Sequence, residues 1–207
     1  MLAATLARNA TVDPKNNSSS DLLMQTSETP AFSAPAKFFH WLTVLVLAVQ
    51  YAIGWLMPDV HRDTKPVGLV GLHLSVGATI VLLVLIRLAW RFSHKLPAES
   101  QILPPVMRLA ARVTHGVLYA LLIALPLMGW ANASARGWDV SLFHVVPLPA
   151  LAATGSALGQ TLGDVHKLTA WVLLVLIGVH VAAALFHQFV IRDGSLGRML
   201  PGARKMR

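Results

Sequence analysis

Cysteine is absent from this 207-residue sequence. Without thiols there is no disulfide, no thiolate zinc site and no cysteine-held iron–sulfur cluster, and histidine is left as the only strong nitrogen ligand. Charge is sparse as well. Only 13% of the residues are charged, against about a quarter in ordinary soluble domains. No carboxylate accompanies the histidines inside the apolar runs, which argues against a divalent-metal cage there.

What the sequence does have is long apolar stretches: 55% of it is hydrophobic. Runs of about 20 apolar residues are long enough to cross roughly 30 Å of hydrocarbon. Four such spans are predicted: Lys37 to Met57, Val67 to Trp90, Arg108 to Ala131 with a kink at Pro126, and Asp164 to Val190 with Asp164 as N-cap. Trp41, Trp55, Trp90 and Trp130 fall near span ends, where an interfacial aromatic belt would sit. The connection from Asn132 to Gly163 is long and weakly charged, and is expected to lie along the membrane surface as a lid. Residues 1–34 are polar and without helical periodicity, so they read as a disordered tail with no cleaved signal peptide. Residues 35–202 form the membrane domain and residues 203–207 a basic tail.

The net charge of +8 does not point to nucleic acid, because the basic residues cluster at span ends. Arg8, Lys15, Lys37, Arg87, Arg91, Lys95, Arg108, Arg112, Arg192, Arg198, Arg204, Lys205 and Arg207 gather on one side, and only Arg62, Lys65, Arg136 and Lys167 on the other. The positive-inside rule then places both termini in the cytoplasm, with the lipid bilayer as the main partner.

Nine histidines remain to be explained. Ionisable groups inside a membrane are costly and usually functional. His166 and His180 are separated by 14 positions, which places them within about 40° of one helix face and about 21 Å apart along the axis. One ligand near each membrane surface suits two haems stacked across a bilayer. His73 is level with His166 on the outer side, and His40 lies on the inner side with His180. His187 shares the His180 face at an offset of about 20°, and His115 is a further inner-side competitor. A lone membrane histidine usually does no more than hydrogen-bond a neighbouring helix; four at two matching depths are poorly explained that way. His61, His94 and His144 fall in loops.

Four stretches carry a resemblance: "FFHWLTV" around His40, "GLHLSVGATIVLLVLIRLAWRF" around His73, "LIALPLMG" in the third span, and "LIGVHVAAALFHQFVIRDGSLGRMLP" from the fourth. Over residues 37–202 the chain resembles the bacterial cytochrome b561 family of small dihaem membrane cytochromes, and most of all its superoxide:ubiquinone oxidoreductase branch. The resemblance implies an all-α protein: a four-transmembrane-helix bundle in the bacterial inner membrane that binds two haems b. It gives His40 and His180 to the cytoplasmic-side haem, and His73 and His166 to the periplasmic-side haem. It implies an oxidoreductase passing electrons from an outer-side donor, superoxide oxidised to O2, to ubiquinone.

Beside that frame, Lys167, Arg62, Lys65 and Arg136 would steer an anion to the outer side, and His187 would hydrogen-bond a quinone carbonyl and relay a proton. Arg87, Arg91, Arg108 and Arg112 are candidate haem-propionate partners. Gly54, Gly77, Gly129 and Gly178 place one glycine in every span, for a porphyrin face or for close helix packing. Two other functions remain open: an electron-relay subunit for a partner dehydrogenase or hydrogenase, and a haem-free transporter or scaffold with histidine-bridged helices. Transport usually needs an ionisable pathway or an internal repeat, and the sequence shows neither.

Overall fold

The computed structural model describes residues 31–61, 63–94, 104–143 and 145–200. The tail expected over residues 1–34 therefore lies outside it except for the last four residues, and residues 203–207 lie outside entirely. Four helices account for most of what is described: α1 (Ala34–Leu56), α2 (Gly68–Ser93), α3 (Pro105–Ala135) and α4 (Ala157–Phe186). Each is long and apolar enough to cross a membrane. Prolines open α1 and α3 at the first helical turn, where a missing N–H costs nothing. The described ends of the chain fall at one end of the bundle, the terminal end. The 57–67 connection and a small hairpin fall at the other, the hairpin end.

Two sequence expectations need correction here. Asp164 does not cap the fourth helix, because it lies two turns inside it. The cap is Ser156, whose hydroxyl accepts from the Gly159 N–H at 3.2 Å, after a turn at Gly155 with φ of +81°. The helix begins before its apolar run does, and hydropathy registers only the run. The 132–163 connection is likewise shorter than expected, since α3 continues to Ala135 and α4 starts at Ala157. Within it β1 (Ser141–Leu142) pairs antiparallel with β2 (Val146–Pro147). This hairpin rests on α2: the Ser75 hydroxyl donates to the Ser141 carbonyl and accepts from the Phe143 N–H, each at 3.1 Å.

The extra turns of α3 and α4 are held together by close packing of small residues. Gly159 and Gly163 are four apart in "GQTLG", so they share one face of α4. A Cβ on Gly159 would stand 2.5 Å from the Cβ of Ala135, and one on Gly163 the same distance from the Asn132 amide. The Asn132 amide also donates to the Gly159 carbonyl at 3.0 Å. Small-residue faces of this kind let membrane helices approach closely.

A thin core of Ile53, Val76, Ile80, Val84, Leu122, Leu125 and Leu173 runs down the bundle. Outward positions such as Leu168, Trp171 and Val175 are bare apolar surface, more than half exposed, as residues facing lipid would be. Around the bundle α1 packs on α2, α2 on α3 and α3 on α4, but α1 and α4 form no comparable seam. They are joined midway by the Tyr51 hydroxyl, which donates to the Ala170 carbonyl at 2.7 Å.

At the terminal end the chain turns back. After Phe186 it makes one π turn (His187–Ile191), passes through Arg192 with φ of +59° and ends in a 3-10 turn (Gly197–Met199). That turn reaches α1, where the Trp41 indole donates to the Met199 carbonyl at 2.9 Å.

Candidate functional site

Two groups of histidines form, one at each end of the bundle. At the hairpin end His73 of α2 and His166 of α4 face one another, ring centroids 6.1 Å apart and planes at 82°. The His166 Nδ1–H donates to the Leu125 carbonyl of α3 at 2.8 Å, which fixes the tautomer and leaves Nε2 bare to take a metal. His73 Nδ1 is buried without a hydrogen-bond partner. Such orphaned groups are rare because burying a polar atom unpaired is costly.

Space beside these rings is kept by glycine. A Cβ on Gly129 would come within 2.9 Å of His166 Cε1, and one on Gly54 within 3.6 Å of His73 Cε1. The rings border a cavity of about 200 Å³ whose lining includes Gln50, Tyr51, Trp55, Lys167 and Trp171. Gln50 was not singled out in the sequence. Its amide donates to the His73 carbonyl at 3.0 Å while its own oxygen is buried unpaired, and a Cβ on Gly77 would crowd that amide at 3.4 Å. A glutamine midway along an apolar span was the available signal.

These rings fit haem ligation. A metal–imidazole bond near 2 Å plus about 1 Å from nitrogen to ring centre, on each side, sets the centroids of opposed imidazoles about 6 Å apart. His73 and His166 stand at 6.1 Å. Among the described residues no group of three or more histidine or carboxylate side chains is placed to hold a metal ion.

The terminal-end group is more crowded. His40 (α1), His115 (α3), His180 (α4) and Arg87 (α2) interact with one another. The His40 Nδ1 accepts from the Arg87 guanidinium at 2.9 Å. The ring in contact with His180 is His115, centroids 5.2 Å apart and planes at 80°, and the His115 Nδ1–H donates to the Ala111 carbonyl at 2.6 Å. Arg87 and Arg91 both lie over the Tyr119 ring, at 5.2 and 5.8 Å. Arg112 and Arg108 lie three and seven positions before His115 on α3. The structure thus gathers Arg87 and Arg91 beside the terminal-end histidines. Gly178, in contrast to the hairpin-end glycines, has nothing within 4 Å of an added Cβ.

His187 stands apart from both groups, in the π turn, where its Nδ1 pairs with the Asp193 carboxylate at 2.7 Å. Asp193 is covered by the turn around it. Burial raises its pKa, but hydrogen bonds from Ser195 and His187 outweigh that and hold the carboxyl below its ordinary range. Of the cations expected to steer an anion, Lys167 borders the cavity. Arg136 is engaged with Asn132 Oδ1 and the His61 carbonyl, and Arg62 lies outside the described residues, as does His144. The loop histidine His94 stacks on Trp90, centroids 3.7 Å apart.

Comparison with known proteins matches residues 31–202 to the family model described as prokaryotic cytochrome b561. The chain is 32% identical to cytochrome b561 homolog 2 of Escherichia coli K12 over 179 residues, covering 86% of this chain and 95% of that protein. It is 31% identical to a probable superoxide oxidase, CybB, of Yersinia pestis, covering 80% and 93%. A probable Ni/Fe-hydrogenase B-type cytochrome subunit of Rhizobium leguminosarum bv. viciae is 24% identical, covering 84% and 87%.

Proposed function

The chain belongs to the prokaryotic cytochrome b561 family, and we propose that it is a dihaem carrier taking electrons from an outer-side donor to ubiquinone. Membership makes it a multi-pass bacterial membrane protein, a b-type cytochrome of electron transfer with haem b as cofactor. That sets aside the haem-free transporter or scaffold. Haem count, orientation, ligands and substrates are the proposal.

The observation that carries it is the His73–His166 pair, spaced for axial ligation and cradled by glycine. We assign the outer haem to these two and the inner haem to His40 and His180. When bound between two histidines, a haem b would supply one-electron transfer rather than oxygen binding. Leu125 orients His166 for this through its carbonyl. Arg87 has only donors, so it holds His40 Nδ1 as an acceptor. Ligation through His40 requires Arg87 to let go, and a haem propionate is the carboxylate for it to take next, with Arg91 beside it. His115 is too close to His180 for an opposed axial pair, and its Nδ1–H is committed to its own helix.

The terminal end carries most of the basic residues and faces the cytoplasm in this reading. There ubiquinone takes two electrons and two protons. His187, oriented by Asp193, donates a hydrogen bond to the quinone carbonyl and passes a proton to it. At the outer end Lys167, at the edge of the His73–His166 cavity, draws in superoxide, which leaves as O2 after giving up one electron. A partner-fed relay is the second reading, favoured by the similarity to a hydrogenase cytochrome subunit. Purified protein in liposomes with ubiquinone and a superoxide generator separates the two. Catalysed ubiquinol formation, several-fold slower in Lys167→Gln, supports superoxide as donor. Protein that holds haem but is inert to superoxide supports the relay.

A further inference from the structure

The two helices that supply the inner ligands, α1 for His40 and α4 for His180, are the pair without a packed seam. The Tyr51–Ala170 hydrogen bond ties them midway, eleven positions along α1 from His40. Among the described residues, no packed seam comparable to the other three sets their separation. The returning chain does bridge them at the terminal end.

We propose that the C-terminal turn, residues 192–200, is a clamp that fixes the α1–α4 spacing at the inner haem, with Trp41 and Asp193 as its positioning residues. This rests on the reading that His40 and His180 hold that haem. On the α1 side, Trp41 directly follows His40 and donates to the Met199 carbonyl at 2.9 Å. The Phe32 N–H reaches the Arg198 carbonyl at 3.4 Å, and the Arg198 guanidinium covers the Phe32 ring at 5.5 Å. On the α4 side, seven residues after His180, His187 grips Asp193 at 2.7 Å. Asp193 in turn accepts the Ser195 N–H at 2.9 Å.

Two backbone features carry the chain from the end of α4 towards α1. The π turn that ends α4 is closed by the Arg192 N–H on the His187 carbonyl at 2.7 Å. Arg192 itself has φ of +59°, the left-handed conformation with which helices commonly end, though glycine usually takes it. The turn is spent on redirecting the chain from α4 across to α1.

The test compares full-length wild type with Trp41→Phe, which keeps the ring and loses the N–H, with Asp193→Ala, and with the double variant. Two readouts separate positioning from general support. The EPR position of a low-spin bis-imidazole haem follows the angle between its ligand planes, and haem release to apomyoglobin reports how firmly each site is held. The inner-haem signal is expected to shift and its release to quicken about fivefold for each hydrogen bond lost, with the outer signal and release unchanged. Asp193→Asn, which can still accept from Ser195, should restore part of the effect. Unchanged inner-haem behaviour in the double variant would overturn the clamp, and so would equal changes at both haems. His180→Ala is the control for the underlying reading: if it still binds two haems, the ligand assignment fails and the clamp falls with it.

Discussion

The two ends of the bundle hold their histidines by different means. At the hairpin end, packing does the work: Gly129 and Gly54 admit the rings, the Leu125 carbonyl sets a tautomer, and His73 and His166 face each other at 6.1 Å. At the terminal end there are three histidines, an arginine on one of them and an adjacent second arginine. Close packing shapes the first group, whereas a charged neighbour marks the second. The outer site should therefore be sensitive to volume and the inner one to charge.

The largest contrast comes from the ligands. His166→Ala is expected to remove the outer haem alone and His180→Ala the inner haem alone, each taking the haem content from two per chain to one. Loss of both haems in either variant would mean that the sites are not independent. Next is volume. Gly129→Ala places a methyl 2.9 Å from His166 Cε1, whereas Gly178→Ala meets nothing within 4 Å. The first should lower outer-haem occupancy severalfold and displace its EPR signal, and the second should change neither.

Charge comes third. Arg87→Gln removes a positive charge beside His40, which favours the oxidised haem and should lower the inner potential by on the order of 50–100 mV. The outer potential should stay in place, so a redox titration that moves both would blur the distinction. The smallest effect is a pH response. Asp193 is held below the ordinary carboxyl range, so its stabilising contribution is present above its unfolded pKa and is lost as pH falls through the lower folded value. Inner-haem release should therefore quicken below about pH 4 in wild type and lose that dependence in Asp193→Asn.

Much of this was legible in the sequence, and what escaped has physical causes. Hydropathy found all four spans, because a lipid-crossing helix must be apolar along its length. It missed the extra turns of α3 and α4, since Ala157–Gly163 is held by "GQTLG" packing and a Ser156 cap rather than by hydrophobicity. Helix arithmetic placed His73 level with His166, because depth follows directly from position along a span. It left His180, His187 and His115 as competing inner ligands, since depth alone does not separate them, and which ring meets His180 depends on helix rotations that only tertiary packing sets. The hydrogen bond between Trp41 and Met199 joins residues 158 positions apart. No local pattern announces it.

Haem stoichiometry bears on all of this first. A pyridine haemochrome assay with a reduced-minus-oxidised spectrum, on purified wild-type protein of known concentration, should give two b haems per chain. A single haem would contradict one of the two histidine pairs. No haem, from cells grown with ample haem, would contradict the dihaem carrier altogether.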